Sequence, residues 1–399
     1  MARIQKKANL DDIERGAAMR KIKVLIIAGA MGVGGIENQL MHLLRNADKE
    51  KFQIDFTSTD PNAYYRGEIE ALGGRFLLIP PMCHTNPLPY CKALYRIMKD
   101  GQYDIVHSHE LFHSGIVLLI AKLAGVPGRF VHAHNWQDGD GTGKKRTLVR
   151  TMYNTVMRWL ILGCSNHQLA CSTLAGKFLY GEKRVRKDSY RLVFNSVDTS
   201  KFLDLYDRQE SGEFCDGWIN VLQVGRVTRV KNQLFLTEIA AEMKRRGRRI
   251  RILCAGNGDA EYVEAVQRAI EEQNLQDCIR MLGVRSDIDV LMRKASAFVL
   301  PSRYEGMPLV LIEAQASGLP CVVADTFSHE VDFELNKVQW LPLTESAAVW
   351  ADAIERAIAD GREEKSRVVR VVEEKSFDSR MFAQTLCGLY EESCAETKA

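Results

Sequence analysis

Short continuous apolar runs, each closed by glycine or by polar residues, alternate along the chain with segments whose apolar residues recur at helical spacing. KVLIIAG (23–29) is the first such run, the pattern of a strand buried on both faces. NQLMHLLRNA follows it and places Leu40, Leu43 and Leu44 on one helical face. QIDFTST and GRFLLIP read as the next two strands and YDIVHSHE as another; the helical SGIVLLIAKLAG and the strand GRFVHAHN come after. Strands alternating with helices predict a parallel sheet covered on both faces.

The pattern restarts after the polar stretch DTSKFLDLYDRQESGEFCDG (198–217). INVLQVGRV is a strand that ends in glycine. NQLFLTEIAAEMKRRG is an amphipathic helix with a basic last turn and Gly247 as its C-terminal stop. The strands IRILCAGNG, IRMLG, AFVLPS and PCVVAD alternate with the helices EYVEAVQRAIEEQ, DIDVLMRKA and PLVLIEAQASG, and the end of the chain is helical with a polar tail. The fold class is α/β, two doubly wound parallel-sheet units on one linker. Ligands of such units sit beyond the carboxyl ends of the strands, in the cleft where the two sheets face each other.

Composition adds little to this picture: 399 residues, 46% hydrophobic and 26% charged, suit a soluble globular protein of two or three domains. Charge adds more. Residues 1–200 carry 28 Lys and Arg against 18 Asp and Glu, and residues 201–399 carry 26 against 33. A basic half joined to an acidic half points to different partners for each. The ten cysteines form no CxxC pair and several lie in strand-like runs, which reads as reduced core thiols of a cytoplasmic protein and not as a disulfide or zinc framework. No apolar run reaches the ~18–20 residues needed to span a bilayer. The first 20 residues are too polar for a secretory signal and read as a flexible extension, with Met19 a second candidate start.

Candidate chemistry gathers at strand ends. AGAMGVGGIEN opens a helix after KVLII; a dinucleotide fingerprint beginning at Gly32 needs glycine at 37, where Glu37 stands, so the nicotinamide signature fails. Gly34 and Gly35 would let backbone N–H groups reach an anion at a helix N-terminus, the alternative being a tight turn without a ligand. Arg226 and Lys231 in VGRVTRVKNQ follow the first strand of the second unit and form a natural clamp for a diphosphate; solvated loop cations are the plain alternative. In RYEGMPLVLIEAQASGLP (303–320), Pro308 suits the first helical position, and the N–H groups of Met307 and Leu309 point into the cleft. Leu309, Ile312 and Ala316 form one apolar face, with Glu313 off it. A carboxylate at Glu313 can accept two hydrogen bonds from a vicinal diol such as a ribose, and Glu305 can reach sugar hydroxyls beside the phosphates. Their ordinary roles would be a surface helix acid and a helix-start charge worth ~0.3–1 kcal/mol.

In this order and spacing the residues resemble a retaining glycosyltransferase of the GT-B fold, family 4, the glycosyl transferases group 1 domain, over about residues 21–395. The E-x7-E motif is Glu305 and Glu313, the G-R-x4-K element is Gly225, Arg226 and Lys231, the G-x-G is Gly256 and Gly258, and the N-terminal Gly-Gly is Gly34-Gly35. The linker signal N-G-V-D appears as NSVD, with Ser196 in the place of the usual glycine. The resemblance implies an acceptor-binding domain over 21–198, a linker over 199–217, a nucleotide-sugar domain over 218–376, and a terminal helix (377–399) that packs back on the first domain.

It also implies roles. Arg226 and Lys231 would neutralise the donor diphosphate, Glu313 would hold the ribose, and Glu305 would bind sugar hydroxyls with help from the backbone of Gly306, Met307 and Leu309. Gly34 and Gly35 would approach the phosphates, Gly256 would belong to the donor site, and His134 would lie beside the reacting sugar with His132 as runner-up on the same strand face. No cofactor and no metal is implied, and the HxH pair His107 and His109 reads as cleft-lining or structural. The expected partners are a nucleotide-sugar donor, with uridine diphosphate the commonest carrier, and a glycan or polyprenyl-diphosphate-linked glycan acceptor of surface polysaccharide assembly; no nucleic acid is implied. GKKRTLVRTMYNTVMRWLILG (143–163) carries Lys144, Lys145, Arg146, Arg150 and Arg158 beside Leu148, Met152, Trp159 and Leu160. It reads either as a helix lying on an anionic membrane surface or as a core-facing helix with solvated cations. Two rivals share the fold, a non-catalytic sugar-nucleotide-binding protein and a sugar-nucleotide epimerase.

Overall fold

In the computed structural model the described residues are 20–32, 34–83, 86–134, 148–185, 190–204, 206 and 213–397. Residues 1–19 of the N-terminal extension, and Lys144, Lys145 and Arg146 of the basic segment, lie outside them. The described strands fall into two parallel sheets. The first has the order β3-β2-β1-β4-β5-β6-β7, built from β1 (Ile22–Ile27), β2 (Phe52–Ser58), β3 (Phe76–Leu78), β4 (Ile105–Ser108), β5 (Gly128–Ala133), β6 (His167–Ala170) and β7 (Arg191–Leu192). The second has the order β10-β9-β8-β11-β12-β13, built from β8 (Ile219–Val224), β9 (Ile250–Ala255), β10 (Ile279–Gly283), β11 (Ala297–Leu300), β12 (Cys321–Ala324) and β13 (Val338–Leu341). Each sheet reverses its winding once, between β1 and β4 and between β8 and β11, and at these points the crossovers diverge and leave a crevice.

β1 explains why the apolar runs are continuous. Val24 and Ile26 pack on one side of the sheet and Leu25 and Ile27 on the other, and all four are fully buried. Six helices matter for the site: α1 (Gly35–Asn46), α2 (Ser114–Ala124), α3 (Leu148–Cys164), α4 (Gln233–Arg245), α5 (Leu309–Ala316) and α6 (Ser379–Glu396). Unlike the expected one-faced helix, α5 buries Leu311, Ile312, Ala314, Gln315 and Ala316, because it is enclosed by β12 and by the helices at 199–203 and 365–375. Pro308 stands one position before its first helical residue, as its N-cap.

Several elements escape the periodicity argument. GRFLLIP contracts to a three-residue strand at the sheet edge, where Leu78 is exposed. β7 and β13 are short edge strands without a continuous apolar run. The helix Ala347–Asp360 was legible in principle: Ser346 caps it by accepting from the Val349 N–H, and Trp350, Ala351, Ile354 and Ala357 recur on its buried side.

The chain passes between the sheets twice. Val197 N donates to Phe377 O at 2.9 Å, and Ser379 N donates to Val197 O at 2.9 Å. Thr199 Oγ1 donates to Asp378 Oδ2 at 2.6 Å. The described residues after the crossing are packed: Thr199–Leu203 is helical, and Phe202 and Phe214 are buried. Ser196 needs no left-handed backbone. Its N–H donates to Gln39 Oε1 at 2.7 Å and its carbonyl accepts from Gln39 Nε2 at 2.5 Å, so α1 holds the turn that a glycine would otherwise make.

Beyond the second crossing, α6 lies against the first sheet and places Phe382, Ala383, Leu386, Leu389 and Tyr390 in one core with β1 and α1. Leu386 is fully buried there. Leu386→Ala should therefore cost ~2–5 kcal/mol, although it lies near the end of the chain. Amide hydrogen exchange should show faster exchange in β1 and α1 and none of the change in β8 and β9; the reverse pattern would mean that α6 belongs energetically to the second sheet.

Candidate functional site

Loops at the carboxyl ends of β1, β5, β8 and β11 converge on one cavity of about 670 Å³ between the sheets. It is lined by Gly34, Gly35, His134, Arg226, Lys231, Glu305, Gly306, Met307, Leu309 and Glu313; of the residues named from the sequence, Gly256, Gly258, His107, His109 and His132 lie outside its lining. Gly256 sits one layer behind. Its φ is +140°, and a Cβ there would fall on the Gly225 backbone, 2.8 Å from the carbonyl carbon. Gly258 likewise abuts Val227, so both glycines let the loop after β9 support the backbone that carries Arg226.

Two helix starts face each other across this cavity. α1 is capped by Gly34 and α5 by Pro308, and neither cap supplies a side-chain hydrogen bond. The first N–H groups of both helices are thus without a capping side chain, at the positive ends of two helix dipoles, and the backbones are close: a Cβ built on Gly35 would lie 3.6 Å from Leu309 Cδ1. Such an arrangement attracts an anion. Glu37, noted in the sequence only for breaking a fingerprint, is the third helical residue of α1, and its carboxylate folds back over Gly34. An anion arriving at α1 must displace it.

The charges around these helix starts are unequal. The Arg226 side chain is exposed and, among the described residues, makes no ion pair. Lys231 instead donates to Glu305 Oε1 at 2.5 Å, with both side chains largely buried. The two residues assigned from the sequence to different parts of a ligand therefore hold each other. Arg303 closes the same corner: its N–H donates to Val230 O at 2.8 Å, which ties the loop after β11 to the loop after β8. The Glu313 carboxylate makes no hydrogen bond among the described residues, and burial pushes it up to about 7.

His134 ends β5 with 5% of its surface exposed, and burial lowers it to about 4. His132 is fully enclosed behind it, so of the two only His134 lines the cavity. Asn195 is a cleft residue that the sequence suggested only as part of a linker signal. It lines the cavity, opposes the lowering at His134, and donates from Nδ2 to Met307 O at 3.4 Å. Its place immediately before the crossing at Val197 was the available clue.

α3 carries both a face packed on the core and an exposed face. Arg158 turns inward, donating to Leu179 O at 2.9 Å and Phe178 O at 2.8 Å, with its guanidinium over the Phe112 ring. The exposed side carries Leu148, Val149, Met152, Val156 and Trp159, the last 74% exposed, beside the exposed Arg150. Met157, Ile161 and Cys164 of the same helix are buried, so apolar residues lie on both its inner and its outer face.

Comparison with known proteins places this geometry. The model for glycosyl transferases group 1 matches residues 208–371, and that for glycosyltransferase family 4 matches residues 33–201. The chain is 35% identical to the putative glycosyltransferase EpsF of Bacillus subtilis over 377 residues, covering 92% of this chain and 96% of that protein. It is 26% identical to the capsular polysaccharide biosynthesis glycosyltransferase CapH of Staphylococcus aureus, covering 92% and 98%. It is 28% identical to the Escherichia coli UDP-Gal:alpha-D-GlcNAc-diphosphoundecaprenol alpha-1,3-galactosyltransferase, covering 63% and 66%. Anabaena HepE, solved with UDP-glucose, superposes with a TM-score of 0.73 at 15% identity, covering 93% of this chain and 99% of that one, which shows the shared GT-B fold.

The state of Glu313 can be measured as stability. Its folded value of about 7 lies above the ordinary 4.5, so the folded chain holds a proton that the unfolded chain releases between those values. Stability therefore falls as pH rises through that window and stays lowered above it. Glu313→Gln should melt at a higher temperature than the natural protein at about pH 8, with the gap closing towards about pH 4. Equal melting temperatures at both pH values would mean that the carboxylate is well solvated.

Proposed function

This chain belongs to the glycosyl transferases group 1, family 4 of the glycosyltransferases, and we propose that it moves a sugar, with retention, from a uridine diphosphate sugar to a glycan or polyprenyl-diphosphate-linked glycan during surface polysaccharide assembly. The observation that carries this reading is the meeting of two helix starts without capping side chains, two cations and two carboxylates in one cleft. That set suits a ligand with an anionic centre and hydroxyl groups on both sides of it. Two relatives support the donor and acceptor classes: HepE was solved with UDP-glucose, and the Escherichia coli enzyme acts on a diphosphoundecaprenol-linked sugar. On this reading residues 218–376 hold the donor, residues 21–198 hold the acceptor, and the enzyme works at the inner face of the cytoplasmic membrane.

The ligand-free ion pair suggests an order of events. A diphosphate arriving between α5 and Arg226 competes with Glu305 for Lys231, since it offers more negative charge to the same ammonium. Glu305, once released, can accept from the donor-sugar hydroxyls, and Glu313 can accept from the ribose diol. The acceptor oxygen then attacks the anomeric carbon on the face from which the diphosphate leaves; the carbon–oxygen bond to the phosphate breaks as the new one forms, and the acceptor's proton passes to the departing phosphate oxygen. Charge grows on that oxygen, where Arg226, Lys231 and the helix N–H groups are already aimed.

This sequence makes the two glutamates separable. Lys231→Ala should lower kcat by roughly 100–1000-fold, as loss of one charge-stabilising donor does elsewhere, while leaving free uridine affinity almost unchanged. Glu313→Ala should weaken UDP and the UDP-sugar alike. Glu305→Gln frees Lys231, so UDP should bind at least as tightly as before while the UDP-sugar binds less well. Calorimetry with UDP against UDP-sugar, beside initial rates with an acceptor, checks all three; a UDP affinity lost in Glu305→Gln but kept in Glu313→Ala would overturn the assignment. Release of an altered free sugar nucleotide without acceptor would mark the epimerase instead.

The outward apolar stripe of α3 favours a membrane surface for this helix, with Arg150 and the preceding Lys144, Lys145 and Arg146 supplying the charge. A cavity of about 830 Å³ lined by Phe112, Ile116, Val149 and Tyr153 adjoins it and offers room for the lipid-borne end of an acceptor. The protein should sediment with anionic vesicles at low salt and be released at high salt, each cation contributing ~1 kcal/mol. Replacing Met152 and Trp159 by serine should abolish sedimentation and leave hydrolysis of the soluble donor unchanged. Equal binding to neutral vesicles, or retention by the double variant, would make the stripe a contact for something other than an anionic bilayer.

A further inference from the structure

Directly behind His134 lies a group of side chains that the proposed transfer does not use. β4 and β5 run parallel with His107 opposite Phe130 and Ser108 opposite Val131. Alternation then sets His107, His109, His132 and His134 on one face of the sheet, at and just beyond the strand ends. His107 and His132 are wholly buried and His109 is 7% exposed. The rings are packed together: His107 and His109 centroids lie 4.2 Å apart, and those of His109 and His132 lie 5.6 Å apart.

Polar groups enclosed to this degree normally find partners. Here they largely do not. Among the described residues, His107 Nε2, His109 Nε2, both nitrogens of His132 and His134 Nδ1 make no hydrogen bond. The bonds that do exist explain which nitrogens are left. His107 Nδ1 is 2.7 Å from Tyr390 Oη, and His109 Nδ1 is 2.8 Å from His134 Nε2. With the proton on Nδ1 in each case, His107 donates to Tyr390 and His109 donates to His134. Both rings then keep an unshared electron pair on Nε2. Metal-binding imidazoles use this arrangement, one nitrogen held by an outer partner and the other turned to the ion. The candidate donor atoms of His107, His109 and His132 all lie within 4.8 Å of one another. Ligand nitrogens on a tetrahedral zinc ion stand roughly 3.4 Å apart, so modest ring rotations bring three of them into place.

We propose that His107, His109 and His132 form a three-imidazole site for one late first-row divalent cation, with zinc the best fit, beneath the floor of the cleft. Neutral imidazole suits that class of ion, and the donors come from two adjacent strands, so the ion would join β4 to β5 where they meet the cleft. It lies outside the transfer chemistry described above and does not depend on that reading. Its effect on the site passes through His109. A cation on Nε2 makes the Nδ1–H of His109 a stronger donor to His134, which fixes the proton of His134 on Nδ1, on the side where Asn195 stands. His109 is thus a positioning residue for His134.

The test uses the full chain without an affinity tag, stripped with a chelator and titrated with zinc ion in the presence of a reductant. Equilibrium dialysis should find one tight site per chain, and the X-ray absorption spectrum of the zinc should show imidazole nitrogen with no sulfur. His132→Phe, which keeps a ring of similar size, should weaken this binding at least 100-fold, since it deletes a ligand where loss of an outer partner alone typically costs 10–100-fold. Tyr390→Phe should weaken it about 10-fold. Replacing the exposed Cys83 and Cys215 by serine should change nothing. Absence of a saturable site, a sulfur-containing shell, or undiminished binding in His132→Phe would each overturn the proposal. Should His132→Phe fail to fold, the spectrum of the natural protein decides: a shell of at least three imidazoles supports the site, and one of fewer overturns it.

Discussion

The paired crossings at Val197 and Phe377–Ser379 are the constraint on which the site depends. Two sheets joined by a single tether would be free to face in any direction. Here the outgoing and returning chains bond to one another through backbone N–H and carbonyl groups and through Thr199 and Asp378. The return would carry no restraint if α6 were loose, but α6 is buried in the core of the first sheet. The two switch points are thereby held opposite each other. The N-cap of α1 then meets the N-cap of α5, and a ligand has polar groups from both sheets within reach. The contact of Thr173 N with Glu330 Oε2, at 2.8 Å, is a second bridge across the same gap.

Within that frame the cleft resolves a competition among charges. Two helix starts, Arg226 and Lys231 concentrate positive potential in a partly desolvated space, and a protein without ligand must tolerate it. Glu305 and Glu37 do this work from opposite sides, one pairing with Lys231 and the other folding over Gly34. Both are internal anions standing where an external one would bind. A bound diphosphate thus exchanges one set of charge-assisted bonds for another, and its net gain is smaller than the number of donors suggests. Glu313 lies apart from this exchange: burial raises its carboxyl, and the charge of Lys201 offsets this only in part.

The donor side of this arrangement was legible in the sequence and the rest was less so, for a physical reason. Residues that hold a diphosphate must be cations, glycines or helix-opening segments at strand ends, and these leave marks at set spacings: Gly225, Arg226 and Lys231 after β8, Glu305 and Glu313 astride the start of α5. The exception is Gly256, a real mark of the motif that acts through the backbone of Gly225 and not at the cavity wall. Pairing is invisible to such an argument. Nothing in the spacing of Lys231 and Glu305, which lie on separate loops, says that they bond to each other. The same holds for Asn195, whose importance comes from where the crossing carries it. Short edge strands such as β7 were missed because strands exposed on one edge need no apolar run. The orientation of α3 could not be decided from its pattern, since an apolar stripe reads alike whether it faces a core or a membrane.

Places where a chain departs from the rules that make it fold are informative when they gather in one region. Much of this protein follows those rules: continuous apolar strands, the side-chain cap of Ser346, and buried Arg251 paired with Asp216 and Asn220. At the cleft several departures meet within a few residues of one another. Two uncapped helix starts face each other, the half-buried Glu313 carboxylate makes no hydrogen bond among the described residues, and four neighbouring histidines leave five nitrogens without a hydrogen bond among those residues. On the proposed reading a nucleotide-sugar accounts for the helix starts and Glu313. It does not account for the nitrogens of His107, His109 and His132, whose side chains are buried outside the cavity lining. Whatever satisfies them must be small, must accept electron pairs, and must reach a place that neither phosphate nor sugar can enter.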